Sequence, residues 1–303
     1  MGYIIRPRRF GMGFLPMAVL FFLLVFALAN VGAQDFKTIK PGVLIVAFNG
    51  DMPGTSVKDG KLIGLDGEMM QWVADQLGLK VEPAMMEWSA EIAAVESGRA
   101  DIMHGMMGWS AARTKVLLMS DPIYYQPTGI TQKKGQNWGK MKDLEGKRVG
   151  TITGFAWVDE MKKIPGAQVS LYDTSDAAVR DLLAGRIDAL IADGPLVEYA
   201  ILKNPDWKIH QVPLIDPDSR AAYPILTGVN NALFSVNKNS GPLLDAINKK
   251  IQEAWKTCKN LEIAKKYGMS NVNMWFKPPA DSYRAGVDRP KDWVHPSLPA
   301  NCK

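Results

Sequence analysis

The sequence predicts an α/β protein of two similar lobes, each an open sheet flanked by helices, with the chain crossing between them twice. Three observations predict it. From Pro41 onward short apolar runs alternate with amphipathic stretches, the pattern of strands alternating with helices. The tetrapeptide Gly98-Arg99-Ala100-Asp101 follows a helix and opens a strand, and Gly185-Arg186-Ile187-Asp188 has the same placement in a second such series. Segments 124–129 and 224–228 read as the crossings between the two series.

The elements follow in order. Val43-Leu44-Ile45-Val46-Ala47-Phe48 reads as a buried strand, and Met69, Trp72, Val73 and Leu77 fall at helical spacing before Gly78 ends that helix. Residues 79–85 form a second strand, 90–97 a second helix, and 101–103 begin a third strand. The pattern restarts at 147–152, with helices near 157–163 and 175–184 and strands at 169–172 and 189–192. After the second crossing, 232–236 reads as a strand, followed by helices at 241–255 and 261–267. This alternation argues for parallel sheets. Two crossings make the first lobe discontinuous: 34–126 with 226–303 form one lobe and 127–225 the other.

Composition narrows the class. With 47% hydrophobic and 22% charged residues, the 303-residue chain is neither disordered nor a polytopic membrane protein. Three of its basic residues, Arg6, Arg8 and Arg9, precede an apolar run from about Phe14 to Leu28, and Val31-Gly32-Ala33 then fits a signal-peptidase site. Residues 1–33 therefore read as a signal peptide, with an uncleaved anchor as the competing reading because the run approaches spanning length. Without those three arginines the net charge falls from +5 to +2, too little to suggest nucleic acid as a partner. Export also bears on Cys258 and Cys302. In an oxidising compartment the two are expected to be bridged rather than free, which staples the Pro- and Trp-containing tail to the body.

Ordered short motifs add a resemblance. They are Gly64-Leu65-Asp66-Gly67-Glu68, Leu77-Gly78, Trp88, Glu96-Ser97-Gly98-Arg99-Ala100-Asp101, Arg113 and Ser120-Asp121-Pro122-Ile123-Tyr124. In the second series come Gly146-Lys147-Arg148-Val149-Gly150 and Gly185-Arg186-Ile187-Asp188-Ala189, and Lys265-Lys266-Tyr267-Gly268 closes the run. In this order they resemble the periplasmic solute-binding proteins of polar amino-acid ABC importers, bacterial extracellular solute-binding protein family 3. The resemblance implies a type II-like periplasmic-binding-protein fold, a small ligand held between the lobes, an ABC permease as partner, and a monomer in the periplasm without cofactor or metal.

The family's arginine for the ligand α-carboxylate falls on Arg113, and its aspartate for the α-ammonium falls on Asp193. A planar guanidinium fork suits a carboxylate, and a carboxylate at the end of an apolar strand is costly to bury without a cation. Asp193 also stands where it would cap a helix at Gly194-Pro195. Family members carry hydroxyl residues where this chain has Met106-Met107-Gly108-Trp109 and Gly154-Phe155-Ala156-Trp157. Backbone N–H groups at Gly108 and Ala156 would serve instead. The first-lobe pocket positions correspond to Phe48, Asp51 and Trp88, where Asp51 with aromatic faces would favour a cationic ligand group. Trp109 and Trp157 would reach the cleft as ligand contacts or as a structural lid.

Scattered His104, His210 and His295 and the lack of a nucleophile-elbow pattern argue against an enzyme. Two other readings stand beside a receptor. One is a dehydratase on the same fold with Asp193 as general acid. The other is an accessory or sensory protein using the aromatic tail of Trp275, Phe276, Tyr283 and Trp293 to bind another protein.

Overall fold

Strand β1 (Val43–Phe48) is buried on both faces: Leu44, Val46 and Phe48 enter one apolar cluster, Ile45 and Ala47 another. That is the two-residue period of a strand applied to an unbroken apolar run. The protein is described by a computed structural model over residues 1–3 and 35–302, so the expected signal peptide lies, from residue 4 on, outside the described residues. From Phe36 onward the chain forms one unit.

A hairpin of β2 (Ser56–Lys58) and β3 (Lys61–Ile63) leads into α1 (Leu65–Gln76), β4 (Lys80–Met85), α2 (Trp88–Glu96), β5 (Ile102–Met103), a 3₁₀ turn at Arg113–Lys115 and β6 (Leu117–Met119). The chain crosses on β7 (Tyr124–Pro127) to β8 (Gly129–Lys133) and β9 (Arg148–Ile152). Then come α3 (Val158–Met161), β10 (Gln168–Tyr172), α4 (Ser175–Ala184), β11 (Ala189–Ala192), α5 (Gly194–Lys203) and β12 (Ile209–Pro213). It returns on β13 (Val229–Ala232) to β14 (Ser235–Asn237), α6 (Gly241–Lys256), α7 (Lys259–Lys266) and α8 (Val272–Trp275).

Two five-stranded sheets result, ordered β4-β1-β5-β14-β6 and β10-β9-β11-β8-β12. They correspond position by position. In each, three parallel strands are followed by a strand that pairs antiparallel with both of its neighbours. The sheets are thus mixed, which corrects the expectation of parallel ones. The cause is the crossings: β8 and β14 enter soon after β7 and β13, without the helical crossover that a parallel neighbour requires.

The crossings pair with each other. Strand β13 runs antiparallel to β7, with Val229 opposite Pro127 and Ala232 opposite Tyr124. The second crossing therefore lies downstream of 224–228, which instead turns back on itself through the Thr227 N–H to the Tyr223 carbonyl at 3.0 Å. The expected strand over 232–236 is split. Phe234 N–H donates to the Ser120 hydroxyl at 2.9 Å and Leu233 N–H to the Met107 carbonyl at 3.0 Å, so this stretch is bonded to loops rather than to a strand neighbour.

The repeated tetrapeptide performs the same task twice. Asp101 N–H donates to the Ile45 carbonyl at 2.9 Å while its carboxylate accepts from Ile45 N–H at 2.8 Å. Asp188 N–H donates to the Arg148 carbonyl at 2.7 Å and its carboxylate accepts from Arg148 N–H at 3.0 Å. Gly98 and Gly185, at φ 72° and 74°, supply the left-handed turn that ends each preceding helix.

Around the first sheet, Met69, Met70 and Val73 of α1 pack with Leu243, Ile247, Ile251 and Trp255 of α6. Ala94 and Val95 of α2 cover the opposite face. The second sheet is enclosed likewise by two clusters, one around Ile130, Val149 and Ile191 and one around Val179, Leu182 and Leu190. Cys258 and Cys302 are disulfide-bonded, with Cα atoms 5.6 Å apart. Trp275 and Phe276 are buried in the same core as α6.

Candidate functional site

Strands β5, β9 and β11 all end beside the paired crossings, and the loops that leave them enclose a cavity of 590 Å³. Met106, Trp109 and Ser110 come from the loop after β5, Ala156 and Trp157 from the loop after β9, and Asp193 from the junction of β11 and α5. Gln126 of β7 and Asn230 of β13 complete one wall. A crevice at the carboxyl ends of strands, where chain direction switches, is the usual ligand position in open α/β sheets.

Asp193 is placed by the apolar run of β11, which carries it to the start of α5. Its main chain occupies the N-cap position, yet its side chain makes no capping hydrogen bond. Its Oδ1 is buried without a hydrogen-bond partner. Burial pushes the carboxyl up to about 6, with the nearby Leu196 N–H pulling the other way. An unpartnered carboxylate oxygen in a cavity wall is suited to a cationic or N–H-bearing ligand.

Of the residues predicted from sequence, Trp109, Ala156, Trp157 and Asp193 line the cavity. Trp157 is held by its indole N–H donating to Thr151 Oγ1 at 2.9 Å, and its ring meets Phe155 edge-on at 5.0 Å. Gly108, Trp88 and Arg113 form a group beside Trp109 but are not in the lining. Arg113 Nη1 donates to the Gly108 carbonyl at 2.6 Å, and its guanidinium lies 5.4 Å from the Trp88 ring centroid. A Cβ at Gly108 would stand 2.6 Å from Asn230 Nδ2, so a hydroxyl residue enters here only by displacing that amide. Phe48 is buried in the core, stacked on His104 at 6.3 Å, and does not reach the cavity. Asp51 is exposed and accepts from Asn49 Nδ2 at 2.7 Å, also away from the lining.

Several residues were missed. Asp66, quoted only as part of a motif, is fully buried behind Met106. Its carboxylate accepts from Met106 N–H at 2.6 Å and from the Tyr124 hydroxyl at 3.0 Å. Burial pushes it up to about 7 against those two donors and the Gly105 N–H, and the charge of Asp193 adds to the rise. An acid in the first turn of an otherwise apolar helix face was the available signal. Glu91, three residues along α2 from Trp88, is buried with neither carboxylate oxygen hydrogen-bonded. Burial and then the charge of Asp51 push it up to about 8. Among the described residues lining the cavity the basic one is Arg220, which donates to the Thr227 carbonyl at 2.9 Å and pairs with Asp281 at 3.3 Å. Tyr283, from the C-terminal tail, also lines it.

Comparison with known proteins agrees with this architecture. Residues 44–270 match the model of the bacterial extracellular solute-binding proteins, family 3, a class of binding proteins rather than enzymes. The chain is 31% identical over 192 residues to the L-cystine-binding protein TcyJ of Escherichia coli K12, covering 61% of this chain and 71% of that one. It is 25% identical over 183 residues to the L-arginine-binding protein of Pseudomonas aeruginosa, covering 58% and 70%. In fold it is similar to substrate-binding domain 2 of Lactococcus lactis GlnP in its open conformation. That match has a TM-score of 0.64 at 24% identity, over 78% of this chain and 99% of the other.

Proposed function

The chain belongs to the bacterial extracellular solute-binding proteins, family 3, and from that premise we propose that it is the periplasmic receptor of an ABC importer for a zwitterionic amino acid or a close derivative. The observation that carries this reading is the unpartnered, buried carboxylate oxygen of Asp193 in the wall of a 590 Å³ cavity. An α-ammonium there satisfies the orphan acceptor and neutralises the charge. The cavity volume falls within the range of about 300–1,000 Å³ usual for small-molecule sites. The cystine- and arginine-binding relatives support an amino acid as the ligand class.

In this reading residues 1–33 direct export and are removed. One lobe runs from residue 34 to β7 and resumes at β13, the other lies between these strands, and both close on the ligand about β7 and β13. The closed form then presents itself to the ABC permease. Arg113 takes the α-carboxylate, with the Gly108 and Ala156 backbone groups as neighbours and Trp109 and Trp157 as flanking walls. Trp88 backs Arg113, while Phe48 and Asp51 stand outside the lining and take no part in holding the ligand. A second assignment of the carboxylate, to Arg220, is favoured by one observation: Arg220 lines the cavity and Arg113 does not.

Titration calorimetry of the purified protein with L-cystine, L-arginine, L-histidine and small amines tests the reading. A receptor binds at least one α-amino acid without converting it. Binding of amines that lack a carboxylate, with no amino acid bound, overturns it.

A further inference from the structure

The family match ends at residue 270, yet residues beyond it reach the cavity. We propose that the C-terminal segment 277–302 is a built part of the ligand cleft, in which Tyr283 and Asp288 hold Trp109 as a fixed aromatic wall that limits which ligand side chains the cleft admits. The proposal rests on the reading of this cavity as the amino-acid site.

Trp109 is gripped in two ways. Its ring centroid lies 5.1 Å from that of Tyr283, and its indole N–H donates to Asp288 Oδ1 at 3.2 Å. Indole has a single donor, so the carboxylate fixes the orientation that the ring contact alone leaves variable. Tyr283 is itself tied to a crossing strand, its hydroxyl donating to the Val229 carbonyl at 3.2 Å.

The tail that carries these residues is anchored to the body. Arg284, with no exposed surface, pairs with Asp288 and donates to the Ser120 carbonyl at 2.9 Å. Arg289 donates to Asp121 Oδ1 at 3.0 Å and to the Met119 carbonyl at 2.7 Å. Trp293 lies 5.4 Å and 5.9 Å from these two guanidinium groups, and Cys302 closes the segment covalently. At its other end Asp281 pairs with Arg220, which also lines the cavity. A segment held at so many points acts as scaffold, and the residue it presents to the cavity is a wall rather than a passing contact.

The test uses Tyr283→Ala, Tyr283→Phe and Asp288→Asn in the purified, disulfide-bonded protein. Calorimetry with L-cystine, L-arginine and L-histidine comes first. Tyr283→Ala should weaken the preferred ligand by about tenfold and change the ranking among the three, while Tyr283→Phe, which keeps the ring, restores the ranking. A purely structural role moves all three affinities together. Unaltered affinities in Tyr283→Ala overturn the proposal. The second readout needs no ligand: fluorine NMR of protein labelled with 5-fluorotryptophan, the Trp109 resonance being assigned by Trp109→Phe. That resonance should shift in Tyr283→Ala and in Asp288→Asn, and constancy in both overturns the proposal. If wild type binds none of the three amino acids, the receptor reading fails on its own, and the fluorine resonance alone decides whether the tail positions Trp109.

Discussion

The Arg113 guanidinium lies 5.4 Å from the Trp88 ring centroid, while its Nη1 donates to the Gly108 carbonyl at 2.6 Å. Face and edge are thus both held, and the remaining N–H groups of the fork are oriented before any ligand arrives. Preorganisation of this kind lowers the ordering cost of binding. If Arg113 clamps the α-carboxylate, Arg113→Ala should weaken the best amino acid by at least about tenfold, the lower end of roughly 2–5 kcal/mol for an unpaired ligand charge. Arg113→Lys should fail to restore it, because an ammonium lacks the planar fork. Trp88→Ala should cost less, since a cation–π contact contributes about 0.5–2 kcal/mol. Wild-type calorimetry in Arg113→Ala together with loss in Arg220→Ala would move the carboxylate to Arg220.

Asp193 predicts a pH dependence with a definite sign. Its carboxyl, raised by burial to about 6, pairs with an ammonium only when ionised. Affinity for an amino acid should therefore be flat above about pH 7 and fall below pH 6, by up to about tenfold per unit. Binding at pH 6 should release about half a proton per ligand, and binding at pH 8 almost none from this group. Calorimetry in two buffers of different ionisation enthalpy measures this directly. Asp193→Asn should bind more weakly and lose the dependence; a variant with wild-type affinity and the same profile would remove Asp193 from the site.

Closure gives a third expectation. The lobes are joined by β7 and β13, which pair antiparallel, so a hinge must change both strands together. Small-angle scattering should show a smaller radius of gyration with a saturating amino acid than without. No change at saturation would mean that the cleft is already closed or that the ligand sits elsewhere.

The first sheet was legible because β1 and its helices carry their periodicity openly. The doubling of the fold was legible because Asp101 and Asp188 each reach back to an earlier parallel strand, β1 and β9, just after a glycine that ends a helix. The second crossing was misplaced because Ala232-Leu233-Phe234-Ser235-Val236 is apolar but for Ser235, and all five residues are buried. Burial explains that run, while hydrogen bonding to Ser120 and Met107 breaks the strand within it. Periodicity records burial and not the identity of a bonding partner. Asp193, Trp109 and Trp157 were found through motif placement. Asp66 and Tyr283 depend on contacts across 40 and more residues: Asp66 with Met106 and Tyr124, Tyr283 with Trp109 and Val229. The acid in the first turn of an apolar helix face marks Asp66 as unusual, but no local signal names these distant partners. The tail aromatics suggested a partner surface, but Trp275 and Phe276 are buried and Trp293 lies against Arg284 and Arg289 of the same chain.

The Cys258–Cys302 bond should hold the tail through unfolding. For a loop of this length, chain entropy puts its contribution at about 4 kcal/mol. The double variant Cys258→Ser with Cys302→Ser should melt at a lower temperature than wild type, and reduction of wild type should produce the same shift. Two thiols titrated in denatured, unreduced protein would show that the bond is not formed.

Asp66 makes the last prediction, on stability. Its carboxyl is fully buried and raised from 3.8 to about 7. A raised acid pKa means that the folded state holds its proton more tightly than the unfolded chain. Between about pH 4 and pH 7 the unfolded state is ionised and the folded state is not. Stability therefore declines as pH rises through that window, and levels off above pH 7. At about 1.4 kcal/mol per unit the contribution of this group is at most roughly 4 kcal/mol, and Asp193 acts in the same direction over a narrower window. Asn at position 66 keeps an oxygen for the Met106 N–H and offers an amide to the Tyr124 oxygen, so it fills the site without a titrating group. Thermal unfolding at pH 5 and pH 8, without ligand, should show a smaller loss of melting temperature in Asp66→Asn than in wild type. Parallel pH profiles for the two proteins would mean that Asp66 stays ionised when buried, held by its N–H and O–H donors.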